Sequence, residues 1–148
     1  MTEEDEKLEG IKAYDKMAYY LGARDHSLKE LHLKLSKNFS QNVVNSTLAK
    51  AVDQGLIMSP SELALKTAQM LHGKNKGYYY IKNYLRKKGL PEVEREEEIE
   101  IDKACAILNN NFTEGEKLNS EQKQKAMRLL NNRGFDNEII KKVIYEIF

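Results

Sequence analysis

Apolar side chains recur along this 148-residue chain at spacings of three and four, the period that gathers them on one face of an α-helix. Leu8, Ile11, Tyr14, Met17, Ala18 and Leu21 set out a first helix, with Lys12, Asp15 and Lys16 on the opposite face. Ser27-Leu-Lys-Glu30 opens a second: the serine hydroxyl accepts from the amide three residues on, and the glutamate reaches back to the serine amide. Its apolar side is Leu28, Leu31 and Leu35. A third helix follows Phe39-Ser40, carries Val43, Val44, Thr47, Leu48, Ala51 and Val52, and stops at Gly55. Ser59-Pro60-Ser61-Glu62 joins an N-cap, a proline at the first helical position and a returning glutamate, so a fourth helix carries Leu63, Ala64, Thr67, Ala68 and Leu71. The fifth spans 78–88 with Tyr80, Ile81, Tyr84 and Leu85 inward, and Gly89 ends it. Pro91 starts a sixth, which no breaker separates from a seventh bearing Ile101, Ala104, Cys105, Ile107 and Leu108. An eighth runs from Asn119-Ser120 through Ala126, Met127, Leu129 and Leu130 to Gly134, and Asp136 caps a ninth with Ile139, Ile140, Val143, Ile144 and Ile147.

Three junctions in this series align: Leu35 to Ser40, Leu85 to Pro91 and Leu130 to Asp136, each a core leucine, a polar turn, an apolar residue and a helix starter. Either amphipathic helices coincide here by chance, or the chain is a tandem array whose units bury their open faces on their neighbours. The second reading predicts an all-α fold, an elongated, curved array of three three-helix repeats over 10–57, 58–99 and 100–148, behind an acidic tail at 1–9 expected to be disordered. Composition agrees on helix, since seventeen Leu stand against five Val and four Thr.

Composition also narrows the chemistry. The single cysteine, Cys105, forms no internal disulfide, and His26, His32 and His72 share no helix face at ligand spacing, so neither a metal nor another cofactor is expected. A phosphate-binding glycine loop, a serine elbow and a Cys-x-x-Cys are all missing, which sets an enzyme aside. No run of about 18 apolar residues offers a membrane span, and an acidic N-terminus is unlike a signal peptide. The expectation is a cytoplasmic monomer that does not engage membrane.

The formal net charge of +1 hides segregation. Between Leu63 and Pro91 there is no carboxylate, while Lys66, Lys74, Lys76, Lys82, Arg86, Lys87 and Lys88 are all cationic. Immediately after come Glu92, Glu94, Glu96, Glu97, Glu98, Glu100 and Asp102, interrupted by Arg95. The acidic run reads as a solvated helix face, or as a wall that keeps nucleic acid to one side of the molecule. The basic stretch reads as a binding surface, although cations at the end of the fifth helix also favour its dipole. Tyr78 and Tyr79 amid these cations suit stacking of unpaired bases. Lys125, Arg128 and Arg133 extend the candidates into the third segment, and Arg24 either orients the turn after the first helix or faces a partner. Cys105, between alanines on an apolar face, reads as an inert thiol.

Leu21-Gly-Ala-Arg24-Asp-His26-Ser27-Leu-Lys-Glu30-Leu31-His-Leu-Lys34-Leu35 resembles the first-repeat signature of the RecX family. Lys76-Gly-Tyr-Tyr-Tyr-Ile81 with Leu85-Arg-Lys-Lys-Gly-Leu90 is similar to the second repeat, and Lys123 to Phe135 to the third, in matching order over 11–148. Two departures stand out: Ser59, Glu62, Leu63 and Ala64 replace the usual start of the second repeat, and Lys103 follows Asp102 where a tryptophan is common. The resemblance implies a regulator of the RecA recombinase, usually an inhibitor, that lodges in the groove of the RecA filament on single-stranded DNA and limits filament growth, ATP hydrolysis and strand exchange. Recombination, DNA repair and the SOS response would follow its activity. On that reading Arg24, Lys74, Lys76, Tyr78, Tyr79, Lys82, Arg86, Lys87, Lys88, Lys125, Arg128 and Arg133 are the candidates for contact with RecA or DNA, duplex being bound more weakly than single strands. The competing reading is a helix-turn-helix DNA-binding protein, with the fifth helix in the groove and no dependence on RecA.

Overall fold

The computed structural model describes residues 2–112 and 117–147; Met1 of the acidic stretch, and residues 113–116 and 148 of the third segment, lie outside them. Among the described residues eight α-helices follow one another: α1 (Glu3–Ala23), α2 (Leu28–Leu35), α3 (Gln41–Asp53), α4 (Pro60–Gly73), α5 (Tyr78–Lys87), α6 (Glu97–Asn111), α7 (Ser120–Asn132) and α8 (Asn137–Lys142). The last runs on into a π-helical turn, Val143–Ile147. No strand occurs among the described residues, and the fold is all-α. None of these helices is long and apolar enough to cross a membrane.

The chain divides into two compact units, Met1–Leu63 with Lys88–Pro91, and Ala64–Lys87 with Glu92–Phe148. In the first, α1, α2 and α3 enclose Met17, Leu31, Leu35, Val44, Leu48 and Ala51. Ser27 caps α2 with the reciprocal glutamate bond that its sequence predicts. Ser40 precedes α3 without a side-chain cap, and Glu9 of α1 accepts its amide instead, at 2.7 Å. In the second unit a core joins Ala104, Ile107 and Leu108 of α6 to Ala126, Leu130, Phe135, Ile139 and Ile144.

Four expectations need correction. The acidic stretch expected to be a disordered tail forms the first turns of α1: Thr2 and Asp5 cap each other reciprocally, and Glu3, Glu4, Asp5 and Glu6 lie where the helix dipole favours anions. Leu8 and Ile11 nevertheless stay exposed, as does Ala18. The 21 residues of α1 exceed the 8 of α2 and 13 of α3, so its burial concentrates on Ala13 and Met17.

The sixth helix expected at Pro91 does not form; 91–96 is irregular and α6 begins at Glu97. No capping side chain precedes Pro91, and Glu92/Glu96 and Glu94/Glu98 would repel across a turn of helix. Released from a helix, Glu92 meets Lys82 at 3.6 Å, and Arg95 meets Asp136 and Glu138 at 3.7 and 3.8 Å. Finally, Tyr80 and Tyr84 are not core residues. The buried line of α5 is Gly77, Ile81 and Leu85, one residue per turn, which leaves Tyr80 exposed and Tyr84 half-buried beside it.

Candidate functional site

The first amides of a helix lack partners within it, and α5 follows Gly77, which has no side chain to cap them. Other parts of the second unit do so. Gly77 donates to the Arg133 carbonyl at 2.8 Å and Tyr79 to the Gly134 carbonyl at 2.9 Å, so the turn that ends α7 caps the start of α5. Glycine on both sides permits this approach: a Cβ on Gly77 would lie 2.4 Å from the Gly134 carbonyl carbon, and one on Gly134 2.6 Å from the Tyr80 nitrogen.

Between those two bonds, Tyr78 donates its amide to Glu100 Oε1 at 2.6 Å. Glu100 is buried and paired with Lys103 one turn along α6, itself buried. Lys103 Nζ also donates to the Lys76 carbonyl at 2.6 Å and to His72 Nδ1 at 2.8 Å. Burial pushes the Lys103 ammonium below its ordinary value, against the pull of Glu100; burial and the Lys103 charge push His72 down as well. A neutral imidazole is the species that accepts the lysine proton here.

This framework carries a group of cations and rings. Tyr79 and Tyr80 are 47% and 39% exposed. Lys76 Nζ stands 4.7 Å from the centre of the Tyr80 ring, Tyr80 stacks on Tyr84 at 6.4 Å, and Tyr78 meets Tyr79 edge-on at 5.7 Å. Lys74, Arg86 and Lys87 are exposed; Lys76, Tyr78 and Lys82 are half-buried. In the same unit Lys125 and Arg128 are exposed on α7, and Arg133 is half-buried in the turn against which α5 rests. The structure therefore brings Lys76, Tyr78, Tyr79 and Arg133 together at the α5 start, with Lys82, Arg86 and Lys87 along the same short helix.

Arg24 and Lys88 belong to the first unit. Both bind Glu30, at 2.7 Å from Arg24 and 3.0 Å from Lys88, while Ser27 Oγ donates to the Lys88 carbonyl at 2.5 Å. Burial works against the Glu30 charge, but the bonds from Arg24, Lys88 and the Ser27 amide prevail and hold its carboxyl down to about 2. Beside this cluster His26 is buried, its Nδ1 donating to the Arg24 carbonyl at 3.0 Å and its Nε2 accepting from Lys34 at 2.8 Å. Burial, with the charges of Arg24 and Lys34, lowers its pKa. Cys105 is half-buried, and burial together with Asp102 raises its thiol, which removes nucleophilic character.

Sequence reasoning missed Glu100 and Lys103 because both fall in or beside an acidic run that looks solvated. The available signal was spacing: Glu100, Ala104, Ile107 and Leu108 share one helical face, and Lys103 lies one turn from Ile107.

No family model matches the chain. It is 30% identical over 141 residues to Regulatory protein RecX from Prosthecochloris aestuarii (strain DSM 271 / SK 413), covering 92% of this chain and 93% of that protein. It is 29% identical over 153 residues to Regulatory protein RecX from Chlorobium phaeobacteroides (strain BS1), covering 100% and 99%. Among solved structures, RecX from Lactobacillus salivarius superposes with a TM-score of 0.80 at 22% identity, over 95% of this chain and 97% of that one. A second crystal structure of regulatory protein RecX gives 0.75 at 22% identity, over 93% and 73%. Identity over nearly the full length of both partners, on the same helical fold, places the chain in the RecX family of regulatory proteins.

Proposed function

We propose that the chain regulates the RecA recombinase, binding its filament on single-stranded DNA and inhibiting filament growth, ATP hydrolysis and strand exchange. Family membership supports the choice of partner. The observation that carries the physical side of the reading is the exposed Tyr79–Tyr80 pair set among Lys76, Lys82, Arg86 and Lys87. Cations neutralise phosphates and release their counterions, while aromatic faces hold unstacked bases without demanding a sequence. Several weak contacts to successive protomers of a filament gain strength by acting together, which is the use that three repeats along 10–148, arranged as an extended array in the filament groove, would serve. No bond is made or broken by the regulator.

The test is DNA-dependent ATP hydrolysis by RecA of the same organism, titrated with the protein at about 0.1 M salt, beside binding to naked single-stranded and duplex DNA. Inhibition at less than one regulator per RecA is expected. Unchanged hydrolysis with stoichiometric protein overturns the reading, and tight binding to one duplex sequence would replace it with a helix-turn-helix reader.

A further inference from the structure

We propose that Glu100 and Lys103 are positioning residues for this surface: their buried pair fixes the α4–α5 turn and thereby sets Lys76, Tyr78 and Tyr79 for a single-stranded nucleic acid. The inference rests on the functional reading above and adds to it a part of the chain that touches neither DNA nor partner.

The geometry is specific to the turn. Lys103 donates to the Lys76 carbonyl and Glu100 accepts from the Tyr78 amide, at 2.6 Å each, so the two charges hold the backbone on both sides of Gly77. Gly77 itself is held by Arg133 at 2.8 Å. The peptide units 76–77 and 77–78 are thus fixed, and the Tyr79 amide, donating to Gly134, holds the next, with Asn75 just before them in a left-handed conformation at φ 57°. Side chains leaving such a turn inherit its orientation, and Lys76 completes the arrangement by lying over the Tyr80 ring.

A pair that served stability alone would be replaceable. Removing one member of a buried ion pair strands the other, whereas neutralising both is often tolerated. Here neutralising both also removes the bond to the Lys76 carbonyl, and that is the difference the test reads. The variant Glu100→Gln with Lys103→Met keeps an acceptor for Tyr78 and loses the donor to Lys76.

In the full chain, this double variant is expected to melt within about 3 °C of the parent, to exchange the Gly77–Tyr79 amides faster, and to bind an oligo-dT about fivefold or more weakly, the equivalent of one lost stacking contact. Lys103→Arg, which retains a donor, should keep parental affinity. Unchanged exchange at Gly77–Tyr79, or parental affinity in the double variant, overturns the positioning role. An unmodified chain that neither binds oligo-dT nor slows RecA overturns the functional reading instead. Should the double variant not fold, the parent supplies the second test: oligo-dT is expected to perturb the NMR signals of both the 76–79 amides and the buried Lys103, and silence at Lys103 overturns the proposal.

Discussion

Glu30 in the first unit and Glu100 in the second each accept a backbone amide at the start of a helix and bind a lysine, yet water reaches only one of them. The Glu30 side chain is 14% exposed and its partners Arg24 and Lys88 are 49% and 29% exposed, against 1% and 5% for Glu100 and Lys103. In the first cluster solvent screens the charges and two cations share one carboxylate, so losing a bond leaves alternatives. In the second, each charge depends on the other. One architecture, a carboxylate that spans helix start and cation, is a surface reinforcement in the first unit and an all-or-none element in the second.

The largest expected effect breaks the second cluster. Lys103→Met alone leaves the buried Glu100 without its cation and should cost about 3–5 kcal/mol in urea unfolding, while adding Glu100→Gln should restore most of it. A small effect of the single substitution would mean that the two clusters are energetically alike. Next comes the backbone. Gly55 and Gly134 adopt φ of 68° and 86°, but a Cβ on Gly55 meets open space and one on Gly134 meets Tyr80. Gly55→Ala should cost about 1–2 kcal/mol, the left-handed penalty, and Gly134→Ala more, with thermal melting giving the order. Equal costs would show that the close approach to α5 relaxes freely.

The first cluster is best broken by acid. With its folded pKa lowered from 4.5 to about 2, Glu30 contributes stability that is complete above the unfolded value and is lost as pH falls from there through the folded one. Glu30→Gln keeps the reciprocal cap and removes the charge, so it should cost about 1 kcal/mol at pH 7, an effect that shrinks as pH falls towards about 2 and vanishes only below it. Urea midpoints of both chains between pH 7 and 2 check this, and parallel curves would remove Glu30 as the titrating group.

The same contrast explains what could be read in the sequence. Ser27 to Glu30 is a local pattern, three residues apart, and its cap is present as expected; so are the helix starts at Ser59 and Asn119. Glu100 bonding Tyr78 spans 22 residues, and the contact of Gly77 with Gly134 joins places whose proximity no local spacing encodes. Charge misled in both directions: acids at 3–9 form helix because they lie at its positive end, while acids at 92–96 do not because they repel without a cap. Of the candidate residues on α5, Tyr79, Lys82 and Arg86 share a face by simple periodicity. The separation of Lys88 from Lys87 depends on Glu30, 58 residues away.

That separation gives the finest prediction. Arg86 and Lys87 are exposed in the last turn of α5, where each contributes at most about 0.3–1 kcal/mol through the helix dipole, and Lys88, the next residue, is tied to Glu30. Arg86→Gln with Lys87→Gln should therefore leave melting almost unchanged but weaken single-strand binding, reducing the slope of log K against log salt by about 1.4 if both meet phosphate. Lys88→Gln should do the reverse, lowering stability and leaving the slope intact. If all three substitutions reduce the slope, Lys88 belongs to the binding surface despite its ion pair; if none does, the basic end of α5 serves its helix alone, and contact with nucleic acid has to be sought at Lys76, Tyr79 and Arg133.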